Sequence, residues 1–206
     1  MTPAAVKTLL EAVRDGGISA EAALEELRTL PFRQAAGVLA DTHRLLRQGF
    51  VEAVYAEGKT HEQVGSALEA LVQSQGAAIA TRVDAECAAA LSLRLPDGRY
   101  DALARVFYVG RLESSYTDEV VGVVCAGTSD LAVAEEAALV LEFGGWKVLR
   151  IEDVGVAGLH RTLSRLEDLR ACSVLIVVAG MEGALPSGVG GLVACPVSAV
   201  PTSVGC

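Results

Sequence analysis

The chain has 206 residues, 51% of them hydrophobic and only 4% aromatic, so a sizeable core can form and must be built from Ala, Val and Leu. A net charge of −9 argues against nucleic acid or an anionic membrane as partner, while leaving room for an anionic ligand in a local cationic pocket. Cys87, Cys125, Cys172, Cys195 and Cys206 show neither metal-ligand spacing nor a disulfide framework, and no stretch is long enough to span a bilayer, so a reducing, cytoplasmic setting with no metal site is expected. Lys7, Glu11, Arg14 and Asp15 interrupt any secretory apolar core near the start.

The N-terminal region, 1–49, reads as helical. Val6, Leu9, Leu10 and Val13 recur at helical spacing until Gly16-Gly17, and Ser19 opens a second helix that Pro31 stops. From Phe32 to Gly49 the pattern is weak and predicts a connection with a short helical piece. A small α/β unit follows over 50–118. Phe50–Tyr55 alternates as a strand, Thr60 and Gln63 form a capping box for a helix to Gln75, and Ala77–Thr81 is a second strand. Asp84 opens another helix, and Arg105–Val109 is a further short strand. Gly58-Lys59-Thr60 mimics the end of a phosphate-binding P-loop, but the upstream glycine that motif needs falls at Ala53. Lys59 is left as a weak candidate for an anionic ligand, against the alternative of a solvated lysine. The polar Leu112–Asp118 stretch predicts the next boundary.

Over 119–206 strands are expected at 120–125, 147–151, 173–178 and 196–200, with helices at 130–144, 157–169 and 187–193. That alternation predicts an α/β class with a doubly wound parallel sheet, whose strand-end loops gather on one edge. The first such loop, Ala126-Gly127-Thr128-Ser129-Asp130, runs from a buried strand straight into a helix. Free N–H groups at a helix start favour an anion, Thr128 and Ser129 add hydroxyl donors, and Asp130 can cap or take a sugar hydroxyl. The second, around Asp153, Gly158, His160 and Arg161, offers a guanidinium for phosphate and an imidazole for binding or proton transfer. In the third, Gly180, Met181, Gly183 and Ala184 surround Glu182, the loop's sole carboxylate and the weak candidate for a catalytic proton or water role. The fourth is Pro201–Cys206. The first three also admit plainer explanations: an N-cap, a solvated His-Arg pair, a flexible connection.

Together, Ala126–Asp130, Asp153–Arg161, Ala179–Pro186, Val200–Gly205, Arg47–Phe50 and Gly58–Thr60 resemble the nickel-pincer cofactor biosynthesis protein LarB family, along nearly the whole chain. The C-terminal half also resembles the PurE-type aminoimidazole ribonucleotide carboxylases, which implies a flavodoxin-like sheet, here without its last elements. The PurE-type loop carries a proton-transferring histidine where this chain has Ala184, an alanine that the LarB family shares. The LarB resemblance implies carboxylation of nicotinic acid adenine dinucleotide with CO2 or bicarbonate as co-substrate. The products would be pyridinium-3,5-biscarboxylic acid mononucleotide and AMP. It implies no covalently bound cofactor, a candidate Mg2+ requirement and a homo-oligomer. Relatives continue beyond the Pro201–Gly205 segment and carry their nucleophilic cysteine there, so the resemblance gives Cys206 no such role and implies impaired turnover. Two alternatives stand beside it: purine-pathway carboxylation, and a non-catalytic nucleotide-binding or assembly module.

Overall fold

The computed structural model describes residues 3–27, 32–35, 38–41, 44–112 and 119–203. Pro31, most of the predicted boundary (113–118) and Val204–Cys206 lie outside the described residues. The chain divides into two compact units, Met1–Tyr100 with Val106–Arg111, and Asp101–Arg105 with Leu112–Cys206.

In the first unit, α1 (Pro3–Arg14) and α2 (Ala20–Leu27) flank a left-handed Gly16, and the Ser19 hydroxyl accepts the Ala22 N–H at 3.1 Å. The stretch read as a weakly patterned connection instead holds an antiparallel hairpin, β1 (Phe32–Ala35) with β2 (Val38–Asp41). Neither Phe32-Arg33-Gln34-Ala35 nor Val38-Leu39-Ala40-Asp41 alternates, so pairing, not local pattern, defines these two strands. After α3 (Arg44–Gln48), β3 (Ala53–Tyr55) buries Val54 between two exposed neighbours and is shorter than the predicted Phe50–Tyr55.

α4 (His61–Gln75) begins at the anticipated capping box: Gln63 N–H donates to Thr60 Oγ1 at 3.2 Å, and Thr60 N–H to Gln63 Oε1 at 3.0 Å. The unit continues through β4 (Ala78–Thr81), α5 (Ala85–Arg94), β5 (Arg99–Asp101) and β6 (Val106–Val109). Its sheet order is β3-β4-β6-β5, with β3 parallel and β6 antiparallel to β4. Val64, Leu68, Leu71, Leu91 and Phe107 are fully buried in its core.

The second unit alternates as its hydrophobic pattern dictates: β7 (Val120–Cys125), a 3-10 turn at Thr128–Asp130, α6 (Leu131–Phe143) and β8 (Lys147–Ile151). A second 3-10 turn (Val156–Gly158), α7 (Leu159–Ser164), α8 (Leu166–Ala171), β9 (Val174–Ala179), α9 (Ala184–Gly190) and β10 (Val197–Pro201) complete it. The sheet is parallel in the order β10-β9-β7-β8. The chain steps from β7 outward to β8, then returns across β7 to β9. The order therefore reverses at the β7/β9 boundary, and a crevice opens there at the carboxyl edge. This is the doubly wound parallel sheet that the alternation predicts, in the flavodoxin-like arrangement that the PurE-type resemblance implies. Val124, Ile151, Leu169, Leu175, Val177 and Leu185 pack one face of the sheet; Val123, Ala134, Ala138 and Val178 pack the other.

Two helices differ from expectation. The single helix read at 157–169 is broken into α7 and α8 at Arg165, beside Ser164, whose hydroxyl donates back to the Arg161 carbonyl at 2.7 Å and competes with the helical ladder. The last helix starts at Ala184 rather than at 187, because Pro186 sits in its first turn, where a missing N–H costs nothing.

Candidate functional site

The turn after β7 is held by a buried carboxylate. Asp130 is only 4% exposed, and its Oδ2 accepts the Gly127 N–H at 3.1 Å. Its Oδ1 accepts the Thr202 hydroxyl at 2.6 Å, while Thr202 N–H donates to the Ala179 carbonyl at 3.1 Å. Asp130 thus ties the loop after β7 to the one after β10, and both its oxygens are already engaged. The Ser129 side chain is left exposed at the start of α6.

The loop after β8 is drawn against the same turn. Val154 N–H donates to the Cys125 carbonyl and Gly155 N–H to the Ala126 carbonyl, at 3.1 and 2.8 Å. A Cβ at Gly155 would lie 2.9 Å from the Ala126 carbonyl oxygen, so only glycine permits this approach. The buried Thr162 hydroxyl donates to the Val154 carbonyl at 2.7 Å and anchors α7 beneath the loop. Arg161 crosses Gly158, where a Cβ would meet Nε at 2.6 Å, and its Nη1 pairs with Asp153 Oδ2 at 2.5 Å. Both partners are substantially exposed, so the pair is weak and open to competition from a stronger anion.

These loops and the one after β9 enclose a cavity of about 310 Å³. Gly127, Ser129 and Asp130 line one side, and Asp153 and Arg161 a second. Gly180, Met181, Glu182 and Ala184 line a third. Other anticipated positions lie outside its lining. Thr128 is exposed on the 3-10 turn, and His160 is exposed on α7, one helical step away from Arg161. Gly158 is buried under Arg161, and Gly183 takes a left-handed φ of 64° to start α9. Lys59 belongs to the first unit, where its Nζ donates to the Tyr55 carbonyl at 2.6 Å and lies 5.9 Å from that ring's centre.

Sequence reading missed Thr202 as a brace, and Val156 and Leu185 as apolar wall. The signal for Thr202 was a hydroxyl directly after a strand on the ligand edge; the wall residues looked like ordinary core. Cys125 sits immediately behind the first loop but is fully buried. Burial pushes its thiol above the ordinary value, only partly opposed by the Asp153 backbone N–H. Among the described residues no cysteine lines the cavity, no group of three or more His, Cys, Asp or Glu is placed to hold a metal, and no helix is long and apolar enough to cross a membrane.

Comparison with known proteins agrees with this architecture. The family described as LarB/PurE-like N-terminal domain matches residues 32–111, and that described as AIR carboxylase matches residues 120–205. The chain is 34% identical, over 209 aligned residues, to a protein of Methanocaldococcus jannaschii described only as uncharacterized; the alignment covers 96% of this chain and 81% of that one. With a two-part match in this order and a relative this similar along its length, the chain belongs to the LarB family, with a C-terminal domain of the carboxylase type.

Proposed function

We propose that the cavity of the second unit holds nicotinic acid adenine dinucleotide for carboxylation and phosphoanhydride cleavage of the LarB type. The observation that carries this reading is the convergence of Ser129, Arg161 and Glu182 on one cavity at the switch point of a parallel sheet. The exposed Ser129 hydroxyl at the start of α6 suits a phosphate, and Arg161 adds a planar, bidentate cation once the anion displaces Asp153. Glu182 is exposed across the cavity from them, where a carboxylate can take a proton or orient water. Ala184 speaks against purine-pathway carboxylation, because an alanine methyl at the cavity wall transfers no proton.

A pyridinium ring is electron-poor. It must accept a nucleophile and become a dihydropyridine before it can attack CO2, and a thiolate is suited to that step. Cys125 is not that thiolate: a buried thiol whose pKa is raised is neither ionised nor reachable. With no cysteine in the described lining, a second reading gains support, in which the dinucleotide is bound and turned over slowly or not at all.

The test is to incubate the purified chain with the dinucleotide, bicarbonate and magnesium, and to measure binding by calorimetry and AMP by chromatography. Dinucleotide binding is expected; AMP released above a protein-free control favours turnover, and binding without it favours the second reading. Absence of binding, or carboxylation of aminoimidazole ribonucleotide, would overturn the assignment.

A further inference from the structure

Met181 occupies a position that is unfavourable in two independent ways. It is the second residue of a four-residue turn closed by the Gly183 N–H donating to the Gly180 carbonyl at 3.1 Å, and its φ is 52°. Glycine dominates turn positions of that hand, because a Cβ there crowds the following carbonyl at roughly 1–2 kcal/mol. Asp153, the other cavity residue with a left-handed backbone, is of a type whose short polar side chain tolerates it; methionine has no such compensation. The second disadvantage is solvation. Met181 is 74% exposed, a large apolar side chain in water, although glycines stand at both 180 and 183.

Met181 lines the cavity, whose lining joins the apolar Val156, Ala184 and Leu185 to the polar Ser129, Arg161 and Glu182. A ligand that combines an anionic group with a flat, apolar one would match that mixed lining. Thioether sulfur makes favourable contacts with aromatic rings, and the flexible methionine chain adapts to a ring's edge or face.

We infer that Met181 is a specificity-determining residue that grips the planar aromatic ring of the nucleotide, its strained backbone holding the thioether over the cavity mouth. This rests on the proposed nucleotide site and adds to it the element that separates a ring-bearing ribose phosphate from a bare one.

Two ligands isolate the ring: nicotinic acid mononucleotide and ribose 5-phosphate. Binding of each to the intact chain is measured by calorimetry for the native protein, Met181→Gly and Met181→Ala. Both variants should bind the mononucleotide roughly three- to ten-fold more weakly, a loss on the scale of one sulfur–aromatic contact, and bind ribose 5-phosphate unchanged. Met181→Gly alone should also melt at a higher temperature, since glycine adopts this φ without strain. Mononucleotide affinity that does not fall relative to that for ribose 5-phosphate, with both ligands bound by the native protein, would overturn the role of Met181 and leave the nucleotide site standing. Failure of the native protein to bind either ligand would overturn both.

Discussion

Asp130 is the residue on which the site's shape depends most. Its carboxylate is buried, accepts from a backbone N–H and a hydroxyl, and joins loops 72 positions apart. Removing it leaves both donors without their acceptor at a part-buried brace. Asp130→Ala should therefore cost about 2 kcal/mol in urea unfolding, more than an exposed carboxylate would. Thr202→Val, which removes one of the two bonds, should cost about half as much. Equal stability of native and Asp130→Ala proteins would show that the brace carries no energy. The part of the loop that is legible in the sequence is the part made of neighbours: glycine, two hydroxyls and an acid at the start of a helix. The Thr202 contact is not, because a hydrogen bond between distant residues leaves no mark on local spacing. His160 illustrates the converse. Chemistry and position in the chain commend it, but a helical step of about 100° turns it away from the face that Arg161 occupies.

At the level of elements, the edge strand β8 is held to α6 by Arg150. Its Nε and Nη2 donate to Glu135 at 2.7 Å, and its Nη1 and Nη2 to Glu142 at 2.6 and 3.1 Å. These carboxylates, Glu135 foremost, hold the guanidinium firmly protonated despite partial burial. Because two acids share one fork, the network should exceed an ordinary surface pair. Arg150→Met should cost about 1 kcal/mol, with the difference shrinking in high salt. A loss that does not change with salt would assign the effect to packing of the side chain's stem instead. Long elements with a capping signal, such as α4, stand where periodicity puts them. Short strands with a clear apolar run, such as β7 and β8, do so too, but other short elements do not: β1 and β2 escape notice, the 157–169 helix divides, and α9 begins ahead of its reading. In each case the deciding factor is a partner strand, a hydroxyl bonded backward or a proline in a tolerated position, none of which a hydrophobic repeat encodes.

At the scale of the whole molecule, three thiols are buried among the described residues: Cys87, Cys125 and Cys172. Burial raises each above its ordinary value of 9.0. A group that is harder to ionise in the folded state stabilises the fold while it stays protonated in both states. That contribution is complete below the unfolded value and is lost as pH rises from about 9 through the folded value, since the unfolded chain then binds fewer protons. Thermal melts should therefore decline on the alkaline side, and Cys125→Ala should give a flatter alkaline limb than the native protein. Identical limbs would mean that Cys125 ionises as readily folded as unfolded.

In the proposed site, three strand-end loops of one parallel sheet form a single receptor for a nucleotide's phosphate. A crystal structure of the intact chain with nicotinic acid adenine dinucleotide tests it most directly. A phosphate is expected between Ser129 and Arg161, with Asp153 displaced from the guanidinium and Glu182 facing the pyridinium end. A dinucleotide seated away from these loops, with the Asp153–Arg161 pair intact, would contradict it.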